Sequence, residues 1–187
     1  MIVPTDAENP QQTLARWQAE EAVVRARLQT TPGLASPGQV AGRSGLQLFQ
    51  ALLAGEIPPP PMAVTLDFTL LYIESGLAVF QGRPGVAHYN PMGRVHGGWF
   101  ATLLDSAMGC AVHSTLPAGK AYTTLELKLN IVRALTEAVP RVRAEGRLVH
   151  GGGRVATAEG QIFGADGKLY AHASTTCLVF DQARSPG

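Results

Sequence analysis

"YNPMGRVHGGWFATLLDSAMG", residues 89–109, governs the reading of the whole chain. Its second half is a helix-length run of apolar and small residues, opened by His96 and the pair Gly97-Gly98. Nine positions after His96 a lone carboxylate, Asp105, stands among Leu103, Leu104, Ala107 and Met108. A helix that is apolar or small on nearly every side is expected to be wrapped by other structure. A buried carboxylate is costly unless it finds a partner. Either Asp105 is tied off by Thr102, Ser106 or a neighbouring strand, or it is kept for chemistry.

The flanks supply the rest of a sheet. Residues 62–84, "MAVTLDFTLLYIESGLAVFQGRP", read as two β-rich runs broken at Glu74-Ser75-Gly76. After the helix, "YTTLELKLNIV" (122–132) alternates, with Leu125, Leu127, Leu129 and Ile131 on one face and Thr124, Glu126, Lys128 and Asn130 on the other. That pattern predicts a half-buried strand with one wet face. Three more β-rich runs follow, with Ala165-Asp166-Gly167 as the hairpin turn between the last two. Strand, strand, long helix and four consecutive strands imply an α+β fold: an antiparallel sheet with one helix across a face.

Upstream the texture differs. Residues 10–29 read as an amphipathic helix, and 30–45, "TTPGLASPGQVAGRSG", as a linker dense in Pro, Gly and Ser. A short helix is expected over 45–54, closed by Gly55, before Pro58–Pro61 force an extended connector. The organisation expected is a helical extension with a Pro-rich connector over 1–60, one domain over 61–181, and a tail over 182–187.

Composition excludes several functions. The chain is 45% hydrophobic and 16% charged, with fifteen basic against fourteen acidic residues, which argues against charge-driven binding to nucleic acid or a membrane surface. No apolar run is long enough to span a bilayer. The polar opening "MIVPTDAENPQQ" does not read as a signal peptide. Cys110 and Cys177, the two cysteines, both lie in apolar stretches and are expected to be free thiols in a reducing cytoplasm. There is no G-x-S-x-G elbow, H-E-x-x-H or C-x-x-C pair. Gly151-Gly152-Gly153-Arg154-Val155-Ala156 fits a dinucleotide-binding string, but it lies between strands rather than opening a helix. It is either a plain hairpin turn or a backbone-rich cradle for a phosphate, with Arg154 beside it.

Taken singly, His96 reads as a cap, Asn90 as a turn residue and Gly97-Gly98 as close-packing residues. At a helix start, the glycines would also present N–H groups to a developing negative charge. As a set, Asn90, His96-Gly97-Gly98, Asp105 and a Thr opening the next strand (Thr123 or Thr124) resemble the active-site pattern of hotdog-fold thioesterases, particularly the PaaI-like group acting on acyl-CoA. The resemblance runs from about residue 62 to 180. It implies a hotdog fold, with the antiparallel sheet wrapped around one central helix, and hydrolysis of an acyl-CoA thioester to a carboxylate and free CoA. In the roles it implies, Gly97 N–H polarises the thioester carbonyl, and Asp105 serves as base or nucleophile. Asn90 holds the carbonyl or the water, Thr124 orients the water or Asp105, and His96 fixes the loop. No metal or other cofactor is implied.

From Gly97 to Asp105 is eight residues, or about 12 Å along a helix. One thioester carbonyl cannot readily be served by both groups of one subunit, whereas two antiparallel copies about a two-fold axis bring them together. The expectation is an obligate dimer, with a tetramer as its further pairing. Arg133, Gly152, Gly153 and Arg154, with Gly98, are candidate substrate contacts, the arginines for CoA. Trp99, Phe100 and Met92 either line an acyl pocket or pack in the core. Two rivals are a hotdog-fold hydratase or dehydratase, and a non-enzymatic acyl-CoA-binding module. The first usually pairs a His with an acid at a different spacing, and the second has no need of a buried base.

Overall fold

The computed structural model describes residues 9–182. Along them run helices α1 (Pro10–Arg25), α2 (Pro37–Val40), α3 (Gly45–Leu53) and α4 (Pro61–Thr65), strands β1 (Phe68–Glu74) and β2 (Leu77–Gly82), and the long helix α5 (Gly97–His113). Four strands follow: β3 (Lys120–Ile131), β4 (Val142–Gly151), β5 (Val155–Gly164) and β6 (Leu169–Asp181). Residues 1–8 of the opening segment lie outside the described residues, as does all of the tail except Gln182.

One six-stranded sheet in the order β1-β2-β4-β5-β6-β3 holds the domain together, each neighbouring pair antiparallel. It wraps around α5, which buries Trp99, Phe100, Leu103, Leu104, Ala107, Met108, Ala111 and Val112 against it. That stripe recurs at helical spacing, and each large side chain it buries stabilises the fold by about 1.5–3 kcal/mol. The helix comes closest to β4. A Cβ on Gly146 would lie 2.3 Å from the carbonyl carbon and oxygen of Ala107, so only glycine fits there. A side chain on Gly82 would likewise meet the Trp99 ring at 2.8 Å.

The helix is not wrapped on every side, as its composition had suggested. Gly98 is exposed, and Ala101, Thr102, Asp105 and Ser106 are half-buried, forming a strip that this chain leaves open. The small residues that made the helix look buried all round are those of the open strip.

The extension folds over the β1 end of the sheet. On the outer face α1 is anchored by a polar network around buried Glu21, which pairs with Arg25 at 2.7 Å and Arg141 at 2.6 Å and accepts from the Gln81 amide at 2.7 Å. Arg143 bridges to Glu20 and stacks over Trp17 at 4.5 Å, while Trp17 packs edge-on against Phe163. The chain then passes to the inner side, where Gly45 N–H donates to Leu116 O at 3.0 Å and docks α3 against the end of α5. Two local expectations need correcting. The linker contains the turn α2, and the proline run ends in a helix, because Pro61 takes the first helical position, where its missing N–H costs nothing.

Candidate active site

The motif loop is built by its own side chains. Asn90 Oδ1 accepts from Met92 N at 3.0 Å and Arg94 N at 3.2 Å, closing the turn before α5. Its Nδ2 makes no hydrogen bond among the described residues. His96 is the N-cap of α5, with Nδ1 accepting from Gly98 N at 2.9 Å. An Nδ1 that accepts places the proton of the neutral ring on Nε2. This bond uses the Gly98 N–H and leaves that of Gly97 without an acceptor among the described residues. Gly97 therefore carries the free donor at the positive end of the helix dipole.

Asp105 lies two turns further along, half-buried on the open strip. Thr102 and Ser106 do not tie it off: their hydroxyls donate back to Gly98 O and Thr102 O within the helix. Its partner is Thr124, whose Oγ1 donates to Asp105 Oδ1 at 2.9 Å. Thr123 is exposed. The regular alternation had put Thr124 on the wet face and Leu125 on the buried one. A β-bulge between Thr124 and Glu126 shifts the register against β6, so Thr124 turns inward and Leu125 is 59% exposed.

A cavity of about 410 Å³ opens beside Asp105, bounded on the helix by Ser106 and Cys110 and on β3 by Tyr122. Burial, and then the charge of Asp105, pushes the Cys110 thiol up to about 12, so this sulfur is held as the neutral thiol. Burial also raises the Tyr122 phenol, with Cys110 and Asp105 adding to the effect. Both cysteines are free thiols. Among the described residues no three His, Cys, Asp or Glu side chains gather as metal ligands, and no helix is long and apolar enough to cross a membrane.

The remaining candidates lie elsewhere. Trp99 and Phe100 are core residues at 3% and 1% exposure, and Met92 is 76% exposed; none lines the cavity. Trp99 instead fills the space over Gly82 and donates Nε1–H to Leu66 O at 2.9 Å. Arg133 N–H bonds to Tyr170 O, whereas Arg154 O accepts from Val179 N. Tyr170 and Val179 are nine residues apart on β6, roughly 30 Å at strand rise, so Arg133 and Arg154 of one subunit cannot grip the same phosphates. Gly152 N–H is spent on Val155 O at 2.9 Å, closing the hairpin turn.

Comparison with known proteins agrees with this architecture. The profile of the thioesterase superfamily matches residues 92–171. A phenylacetic acid degradation-related protein from Ralstonia eutropha is 32% identical, with a TM-score of 0.64 over 70% of this chain and 98% of its own. The chain belongs to the thioesterase superfamily. This thioesterase is also similar to the phenylacetic acid degradation protein PaaI from Thermus thermophilus, at 28% identity and a TM-score of 0.57 over 63% of this chain and 97% of that one. A thioesterase protein from Streptococcus pneumoniae, solved with coenzyme A, shares the fold at 22% identity and a TM-score of 0.58, over 66% of this chain and 93% of its own. No curated protein matches the chain. The fold is the hotdog fold, and the activity is that of a thioester hydrolase.

Sequence reasoning missed the walls of the cavity. Ser106, Cys110 and Tyr122 follow from the helix and strand periods once Asp105 is placed. Phe49 and Leu52 also line it, yet they come from the extension. Their signal was the apolar face of "GLQLFQALL", which marks a packed helix without saying where it docks.

Proposed function

We propose that this thioesterase hydrolyses acyl-CoA at a site shared between two subunits. The observation that carries the reading is the Asp105–Thr124 pair on an open strip of α5, beside a cavity. Thr124 occupies Oδ1, and Oδ2 makes no hydrogen bond among the described residues. That oxygen removes a proton from water or attacks the carbonyl carbon itself; both routes use the same atom. Attack places negative charge on the carbonyl oxygen, which needs a donor within about 3 Å. Gly97 N–H of the same subunit is about 12 Å away along the helix. A two-fold axis through the strip brings Gly97 of the partner subunit to Asp105, and the small residues there permit close helix approach.

The same symmetry reconciles the two arginines. A Cβ on Gly97 would touch Ile131 at 3.4 Å, so Arg133 lies at the Gly97 end, while Val155 and Thr123 both pair with Leu178, placing Arg154 near the Asp105 end. Arg154 of one subunit and Arg133 of the partner subunit thus flank one site and suit the phosphates of CoA. Asn90 Nδ2 is a donor for the carbonyl or the water. His96 acts by holding the loop. The working unit is a dimer, with a tetramer as a pair of such dimers, and the free thiols suit a reducing cytoplasm.

The test is release of free thiol from acyl-CoAs, with Asp105→Asn as control. The wild type should release CoA with its carboxylate, and the variant should lose about 10²–10⁴-fold in turnover while keeping its fold. Thiol release by Asp105→Asn at the wild-type rate would remove Asp105 from the chemistry. Formation of an enoyl product without thiol would replace hydrolysis by hydration chemistry.

A further inference from the structure

The cavity beside Asp105 has two walls of different origin. One is the domain itself, with Asp105, Cys110 and Tyr122 on α5 and β3, Phe68, Leu70 and Phe80 on β1 and β2, and Met62 on α4; the other is the N-terminal extension, carrying Phe49 and Leu52 on α3. The extension residues all precede residue 92, where the family match begins. The Ralstonia relative is covered over 98% of its length by 70% of this chain, so this chain has residues that relative lacks.

The cavity has a direction. It starts at Asp105, passes Cys110 about 7.5 Å along the helix, and reaches Phe49. The Phe49 ring meets His113 edge-on with centroids 5.4 Å apart, which fixes it a further turn along α5 beyond Cys110. At about 410 Å³ the space exceeds the roughly 150 Å³ apolar cavity that takes up benzene and falls within the range of small-molecule sites.

We infer that the extension supplies the acyl-selecting wall of this enzyme: Phe49 and Leu52 close a pocket that starts at Asp105 and takes a bulky apolar acyl group, medium-chain alkyl or aryl. The inference rests on the thioesterase reading of Asp105. An acetyl group leaves the pocket empty, and a long chain meets Phe49. Each buried methylene favours binding by about fourfold, so four of them separate octanoyl from butyryl by roughly two hundredfold.

Thiol release is measured for butyryl-, octanoyl-, phenylacetyl- and palmitoyl-CoA with the wild type, Leu52→Trp and Phe49→Ala, whose folding is checked by circular dichroism. Leu52→Phe stands in should the tryptophan variant not fold. The wild type should prefer octanoyl or phenylacetyl over butyryl by tenfold or more, and the choice between them identifies an alkyl or aryl occupant. Filling the wall at Leu52 should cut the octanoyl-to-butyryl ratio of kcat/KM at least tenfold. Opening the end at Phe49 should raise the palmitoyl-to-octanoyl ratio. Octanoate and phenylacetate binding is followed in parallel by calorimetry, which reads the pocket without turnover. Thiol release with unchanged ratios in both variants would overturn the inference and leave the thioesterase function standing. Absence of thiol release from every acyl-CoA would remove that function, and binding of octanoate or phenylacetate lost in the Leu52 variant would still support the pocket. A wild-type preference for butyryl, or no binding of either acid, would overturn it.

Discussion

Thr124 Oγ1 reaches Asp105 Oδ1 at 2.9 Å because β3 bulges at the very next residue. Without that extra residue the strand's alternation would keep one parity, and the hydroxyl would face away from the helix.

Removing this hydroxyl tests what the bond does. A hydrogen bond to a charged group contributes about 1.5–3 kcal/mol, so Thr124→Val should lower kcat by about 10- to 100-fold. Thr124→Ser keeps the donor and should return activity to within a few-fold of wild type. Equal losses in both variants would assign Thr124 to packing instead; steady-state thiol release distinguishes the two.

Gly97→Pro deletes one N–H and little else. Proline is favoured at the first helical position, and His96 already has the extended backbone (φ −63°, ψ 142°) that a following proline requires. Loss of a single carbonyl-polarising donor should cost about 10²–10³ in kcat. Mixing this inactive variant with inactive Asp105→Ala, with subunit exchange, should restore roughly a quarter of the wild-type rate, because half the dimers then hold one intact site. No recovery on mixing would place both groups in one subunit.

Gly146→Ala pushes a methyl into the backbone of α5 at Ala107, 2.3 Å from its carbonyl. Backbone cannot move aside as a flexible side chain can, so destabilisation should be about 1–3 kcal/mol or more. In a chain of this size that lowers the thermal midpoint by at least several degrees, measurable by calorimetry.

Glu21 sets an acid limit on stability. Burial works to raise its carboxyl, but hydrogen bonds from Arg141, Arg25 and Gln81 outweigh burial and hold it below the ordinary value of 4.5. A carboxylate with a depressed folded-state pKa contributes its stabilisation in full above the unfolded value and loses it as pH falls through the folded one. Urea midpoints should therefore be flat, as far as this group is concerned, above about pH 5 and drop below pH 4.5. Glu21→Gln leaves Arg141 without its carboxylate; it should cost about 3 kcal/mol at neutral pH and flatten the acid limb. An acid limb unchanged in the variant would assign it to other carboxylates.

The order of strands and helix was legible because periods of 2 and 3.6 are written directly into composition. The motif residues were legible through spacing. The bulge at Leu125 was not, since a one-residue insertion leaves no mark in an alternating run, and it reversed the faces first assigned to Thr124 and Leu125. Trp99 read equally as a pocket or a core residue, and Gly82, seventeen positions earlier, proved to leave the space it fills. Where α1 and α3 dock was illegible for the same reason: the Glu21 network joins residues up to 120 positions apart, and no local pattern encodes such a meeting.

The sheet has two outer strands, and they fare differently. β1 is flanked by α1 on the outer face and by α3 and α4 on the inner side, whereas β3 has no strand beyond it among the described residues. A protein whose strands can be continued from one end alone has no route to a fibre. Two copies joined edge to edge through β3 would present only their helix-flanked β1 ends to any third, so the extension would also act as an end stop to growth of the sheet.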